Sequence, residues 1–167
     1  MISETDILNA SILIVDNQAF NVDMLNQILK GAGYTSVEST TNLPNVCNLY
    51  RNARYSLILL DIEMPGMDGF QVLDGLRDAE PDDYIPVIVI ADQPYYKLLA
   101  LNIGAKDVIG TPFDRDDVLA RVRNILEVRL LHEESKRHIK ALEQELQEMD
   151  VGQTLGGMQN QSAERWL

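Results

Sequence analysis

Two aspartates follow directly on apolar runs: Asp16 after Ile12–Val15, and Asp61 after Leu57–Leu60. Four uninterrupted apolar residues read as a strand covered on both faces, so each acid is delivered to the carboxyl edge of a buried parallel sheet. Open α/β sheets hold their ligands in a crevice at that edge, which puts the two acids in one site. Converging carboxylates repel each other unless a divalent cation lies between them, and Mg²⁺ favours one or two carboxylates, a carbonyl and waters. Beyond Asp61 the chain enters a Pro-Gly loop, in the stretch DIEMPGMDG.

The elements that must position these acids can be read from the alternation of patterns. Strands are predicted at Ile12–Val15, Ser36–Ser39, Leu57–Leu60, Val87–Ala91 and Val108–Ile109. Helical patterns fill the gaps near Phe20–Gly31, Leu43–Asn52, Phe70–Ala79 and Tyr95–Ile103. A strand-helix unit repeated five times implies a doubly wound parallel sheet. Gly31-Ala32-Gly33 ends the first helix and Gly104 the fourth, while Pro81 and Pro86 flank the approach to the fourth strand. Gly31-Ala32-Gly33 lacks the strand-turn-helix setting of a nucleotide loop.

From Asp114 the last helical pattern runs to about Met149, a length of about 54 Å at 1.5 Å per residue, against a domain radius of about 13 Å. Such a helix outruns its domain. With Val118, Ile125, His132, Ile139 and Leu146 at heptad position a, and Arg121, Val128, Ser135, Leu142 and Met149 at d, seven of ten seam positions are apolar. This predicts a coiled coil and a homodimer through the C-terminal helix, tightest at Ile139, Leu142, Leu146 and Met149. The sequence thus divides into a lead at 1–10, a domain at 11–128, the extended helix at 114–150 with its coiled-coil part at about 125–150, and a Gly- and Gln-rich tail or linker at 151–167 carrying Trp166.

The 167 residues, 46% hydrophobic and 24% charged, suffice for one full core and an appendage. A net charge of −12 opposes nucleic acid and anionic membrane surfaces and favours protein or metal partners. No run approaches the ~20 apolar residues of a membrane span, and the expected location is cytoplasmic. The single cysteine, Cys47, has no internal partner and reads as an inert helix residue. His132 and His138 are six apart, off one helical face, and make a poor metal pair.

SILIVDNQ, LILLDIEMPGMDG, IPVIVIAD and GAKDVIGTPFD, in that order and spacing, resemble the receiver domain of two-component response regulators over about residues 10–128. The resemblance implies a flavodoxin-like (βα)5 fold. It also implies transfer of a phosphoryl group from a histidine kinase to Asp61, with Mg²⁺ held by Asp16, Asp61 and the backbone carbonyl of Glu63. The chain departs from the family pattern at several positions. Asn17 stands where a second acid is usual, leaving only a weak amide ligand for the ion. Ala91 replaces a hydroxyl residue, Val108 an aromatic, and Thr111 the lysine before the proline of the K-P-F motif.

A lysine and a hydroxyl bond the phosphoryl oxygens in the family's active state, each bond worth roughly 1.5–3 kcal/mol. Losing both implies a degenerate receiver, not an enzyme, weakly or not switched by phosphorylation and passing signals through its dimeric helix. The alternative is a working Mg²⁺-dependent phospho-acceptor. The run ARVRNILEVRLLHEES also resembles the helix that joins receivers to cyclic-dinucleotide output domains, although no output motif occurs here. Lys97, near the start of the fourth helix, has two readings, a stand-in cation reaching inward or, as expected, a residue on a solvated face; Lys106, before the fifth strand, is expected to be exposed.

Overall fold

The structure is a computed structural model that describes residues 1–64, 68–79 and 84–164, with side chains up to residue 154. Five strands, β1 (Ser11–Val15), β2 (Ser36–Thr40), β3 (Leu57–Asp61), β4 (Val87–Ile90) and β5 (Asp107–Ile109), form one sheet in the order β2-β1-β3-β4-β5. Every pairing is parallel. The doubly wound flavodoxin-like arrangement read from the sequence is therefore present, with strand ends shifted by one residue at most. β1, β3 and β4 are covered on both faces, which their unbroken Val, Ile and Leu content requires. β2, at the sheet edge, is the more polar and more exposed strand.

Alternate residues of the strands divide the core in two. Ile12, Ile14, Leu57, Leu59, Ile88 and Ile90 pack with α2 (Ala19–Gly31) and the first part of α6 (Arg115–Glu164). Leu13, Val15, Ile58, Leu60, Val87 and Val89 face α3 (Val46–Ala53), α4 (Gly69–Ala79) and α5 (Pro94–Ile103). A 3₁₀ turn, Leu43–Asn45, leads into α3. Gly104, at φ 131°, ends α5 in a backbone conformation that an L side chain would strain. Cys47 is half-buried and its thiol is pushed up by burial, in keeping with an inert role.

Residues 1–10, read as a lead, contain a helix of their own, α1 (Glu4–Leu8). A capping box starts it: Ser3 Oγ accepts from the Asp6 amide at 3.1 Å, and the Ser3 amide donates back to Asp6 Oδ2 at 2.8 Å. Ile7 and Ala10 are then buried in the core shared with α2 and α6.

α6 corrects the heptad frame. Within the globular unit, Met1–Leu130, the buried positions are Val118, Val122, Leu126 and Arg129, following a helical period of 3.6. Of the heptad positions there only Val118 is buried; Val128 is exposed and Arg121 pairs with Asp107 and Asp117. From Leu131 the chain forms a second unit. In it Ile139, Leu142, Leu146 and Met149 are each more than half exposed on the single chain. α6 also continues to Glu164, beyond the end near Met149 or Asp150 read from the sequence. That stretch holds no proline, and a helix tolerates each of its glycines at about 1 kcal/mol. Pro81 and Trp166 lie outside the described residues.

Candidate functional site at the carboxyl edge of the sheet

β1 sits where the strand order reverses, so the crevice opens between the carboxyl ends of β1 and β3. The register fixes what meets there. Val15 is opposite Leu60, so the next residues, Asp16 and Asp61, continue side by side on strands about 4.8 Å apart. Asp16 is fully buried; its Oδ1 accepts from the Gln18 amide at 2.9 Å and its Oδ2 from Asn21 Nδ2 at 3.1 Å. Both oxygens are thus oriented by the entry into α2. Asn21 escaped the sequence reading because its role depends on the turn that folds α2 back over Asp16.

Asp61 is 6% exposed, and its Oδ1 accepts from the Glu63 amide at 2.9 Å. Its pKa is pushed up to about 6, first by burial and then by the neighbouring carboxylates, Asp16 above all, against the opposing pull of the Glu63 amide. Two buried carboxylates in one crevice are the electrostatic setting that a divalent cation relieves. Among the described residues no cluster of three His, Cys, Asp or Glu side chains forms a metal cage, so a cation here would rely on carbonyl and water ligands as well. That donor set suits Mg²⁺. Asn17 is exposed and lines, with Asp16, Asp23 and Thr40, a pocket of about 490 Å³ at the ends of β1 and β2.

Gly69 keeps the return of the loop after Asp61 close to the strand. A Cβ at that position would fall 2.8 Å from Ile62 Cα, so α4 can begin this near the site only from a glycine.

The departed positions lie along the same edge. Ala91 is buried just past β4 and its amide donates to the Ile109 carbonyl at 3.0 Å. Thr111 follows β5, and the Thr111–Pro112 bond is cis. Its amide and its hydroxyl donate to Asp92 Oδ1 at 2.6 Å and Oδ2 at 2.5 Å. The Asp92 amide in turn donates to Glu63 Oε2 at 2.8 Å. The Thr111 bonds, with Lys97 as a smaller influence, hold the Asp92 carboxyl below the usual carboxylate range. A chain Glu63–Asp92–Thr111 therefore joins the loops after β3, β4 and β5. The sequence signal for it was an acid directly after Ala91 together with a threonine at the lysine position. Val108 is half-buried on β5, packed against the core that α4 and α5 cover.

Lys97 is not simply a solvated side chain: it is half-buried with its ammonium beside Gly110 and Asp92. Lys106 is half-buried too, its Nζ 4.7 Å from the centre of the Tyr84 ring.

Sequence comparison gives the family to which this fold and this edge belong. The chain matches the response regulator receiver domain over residues 12–123. It belongs to that family, the receivers of two-component signalling. It is 33% identical over 132 residues to response regulator PleD of Caulobacter vibrioides, covering 78% of this chain and 29% of PleD. It is 32% identical over 115 residues to the transcriptional regulatory protein YvrH of Bacillus subtilis, covering 69% of this chain and 48% of YvrH. The chain thus spans half or less of the length of these relatives.

Among solved structures, NtrX of Brucella abortus superposes with a TM-score of 0.67 at 26% identity, over 77% of this chain and 29% of that one. The signal receiver domain of a signal transduction histidine kinase from Syntrophus aciditrophicus gives a TM-score of 0.60 at 30% identity, over 71% and 90%. A receiver is a regulatory module that interacts with histidine kinases and output domains. No helix among the described residues is long and apolar enough to cross a membrane.

Proposed function

We propose that this chain is a cytoplasmic receiver whose acceptor, Asp61, can be loaded but is weakly read, and that its signal passes through a homodimer of the α6 helix. The observation that carries this reading is the Glu63–Asp92–Thr111 chain. In the family pattern a hydroxyl at the end of β4 and a lysine after β5 close on the phosphoryl group. Here Ala91 offers no donor, and the Thr111 hydroxyl and amide are both committed to Asp92. Each missing charge-assisted bond withholds roughly 1.5–3 kcal/mol from the closed state. Breaking the Asp92–Thr111 pair would cost more still. Val108 has no ring to turn inward and report the change.

Asp16, Asp61 and the backbone carbonyl of Glu63 would hold Mg²⁺, with Asn17 a weak further ligand. When bound, the ion neutralises charge on the acids and on the transferring oxygens. The chain's own part is to keep Asp16 oriented through Gln18 and Asn21, and to hold Asp61 Oδ1 on the Glu63 amide. Outside the globular unit, exposed Ile139, Leu142, Leu146 and Met149 lie at 3.5-residue spacing, the seam of a two-stranded coiled coil.

A second reading, a working phospho-acceptor that regulates an output domain such as a cyclic-dinucleotide enzyme, is favoured by the intact Asp16–Asp61 pair. One experiment separates the two. The chain is treated with acetyl phosphate and Mg²⁺, the mass of one phosphoryl group is sought at Asp61, and sedimentation is compared before and after. Under the first reading loading leaves the dimer unchanged. A dimer that forms or dissolves on loading would establish the second.

A further inference from the structure

Four carboxylates, Asp16, Asp61, Glu63 and Asp92, belong to the residues that end or follow β1, β3 and β4. A phosphoryl group on Asp61 would add further negative charge, and the lysine that the family pattern provides at position 111 is a threonine. Yet an ammonium is present. Lys97 sits in the first turn of α5, half-buried, its backbone amide donating to the Gln93 carbonyl at 3.1 Å and its ammonium acting on the Asp92 carboxylate through charge. A Cβ built on Gly110 would lie 3.7 Å from Lys97 Nζ, 3.3 Å from Asp92 Oδ1 and 3.9 Å from the Ala91 carbonyl oxygen. An ammonium, a carboxylate oxygen and a carbonyl oxygen therefore converge on the bare backbone of the residue just before Thr111. Any larger residue at position 110 would fill this cradle.

We propose that Lys97 is the phosphoryl-binding cation of this receiver, entering the site from α5 in place of the side chain at position 111. The inference rests on the reading of Asp61 as an acceptor and adds the residue that meets what Asp61 accepts. The register sets the reach. Asp61 pairs with Ile90 and Ile90 with Ile109, so the cradle at Gly110 lies about two strand spacings, or about 10 Å, from the acceptor strand. The phosphoryl group on Asp61 and the flexible four-carbon stem of the lysine would have to span that gap between them.

Asp92 holds the ammonium only loosely. Its carboxylate is exposed and already accepts two short bonds from Thr111, so a doubly charged phosphoryl group competes well for the lysine. In the transfer itself an Asp61 carboxylate oxygen attacks phosphorus. The new P–O bond forms as the donor's P–O bond breaks, and acetate leaves with that electron pair when acetyl phosphate is the donor. No proton moves, and Lys97 stays an ammonium throughout.

The test uses the full chain with Mg²⁺, comparing wild type, Lys97→Gln, Lys97→Met and Lys97→Arg. The rate of loading by acetyl phosphate is followed by intact mass, and binding of beryllofluoride, a phosphoryl mimic, by its ¹⁹F resonances. Circular dichroism confirms that each variant is folded. Loss of one charge-assisted bond predicts about a tenfold weaker beryllofluoride affinity in Lys97→Gln and Lys97→Met, a shifted ¹⁹F signature, and partial rescue by arginine. Equal affinity and unchanged resonances in the neutral variants would overturn the assignment. So would a folded wild type that takes neither phosphoryl nor beryllofluoride. A loading-dependent change of dimer would instead overturn the weak-readout reading and leave Lys97 in place.

Discussion

Replacing Asp61 with asparagine should make the protein more stable at neutral pH, by an amount that grows with pH in a defined window. The Asp61 pKa is pushed from 3.8 up to about 6, a rise of about 2 units, and each unit is worth 1.36 kcal/mol between the two protonation states. The folded protein therefore binds this proton more tightly than the unfolded chain, and stability falls as pH rises from about 4 to about 6. Above that window wild type carries the whole penalty, at most about 3 kcal/mol. Asparagine is nearly isosteric and keeps an acceptor for the Glu63 amide, but has no charge to confine beside Asp16.

Urea unfolding of both proteins at several pH values in a chelator gives the difference directly, and groups that titrate alike in both cancel. The stability difference should be near zero at about pH 4, rise to about pH 6 and level off. A flat difference, or an asparagine variant that is the less stable at about pH 8, would refute the electrostatic account of the site. Mg²⁺ supplies an internal control. A millimolar site at tenfold excess of ion returns about 1.4 kcal/mol to wild type and less to the variant, so the difference should narrow.

Three further outcomes are expected. Asn17→Asp restores the second acid and should tighten Mg²⁺ binding, followed by amide chemical shifts near Asp16; an unchanged affinity would place the ion away from Asn17. Asp92→Asn weakens the tie to Thr111, so the Thr111 amide should exchange faster with solvent. Because the Asp92 pKa is lowered in the fold, its contribution to stability is present above about pH 4 and lost as pH falls through its folded pKa; at an exposed site it is under about 1 kcal/mol. Leu142→Ser with Leu146→Ser removes about 2 kcal/mol of burial per leucine from a paired seam, several kcal/mol per dimer, and should give monomers in sedimentation with the receiver core intact. An undiminished dimer would move the association to the globular unit.

What the sequence made legible follows from where information is local. Ile12–Val15 and Leu57–Leu60 are continuous apolar runs because both faces of a parallel strand are buried, and Asp16 and Asp61 stand out by ending them. α1 was missed because a five-residue helix has no periodicity to show; its capping box is legible only once Ile7 is known to be buried. The heptad frame over Val118–Val128 failed for a different reason. Periods of 3.5 and 3.6 differ by only ~20° per heptad, so about one and a half heptads cannot separate a coiled-coil seam from a core-facing stripe. There the sheet decides, and it takes Val122 and Leu126 rather than Ile125 and Val128.

The site shows the same division between local and non-local information. Asp61 could be placed beside Asp16 because register between parallel strands carries one strand end to the next. Asp92, Thr111 and Lys97 come from three elements that meet only after β4 and β5 have paired, and no spacing within the chain announces their contact. A lysine on a helix is expected in solvent, and for most lysines that is right. It is redirected here by what its neighbours lack: Ala91 leaves no hydroxyl at the strand end, Thr111 is drawn to Asp92, and Gly110 offers no Cβ to close the space. Ala91 and Thr111, which read singly as losses, create together with Gly110 the opening that an ammonium from α5 can enter.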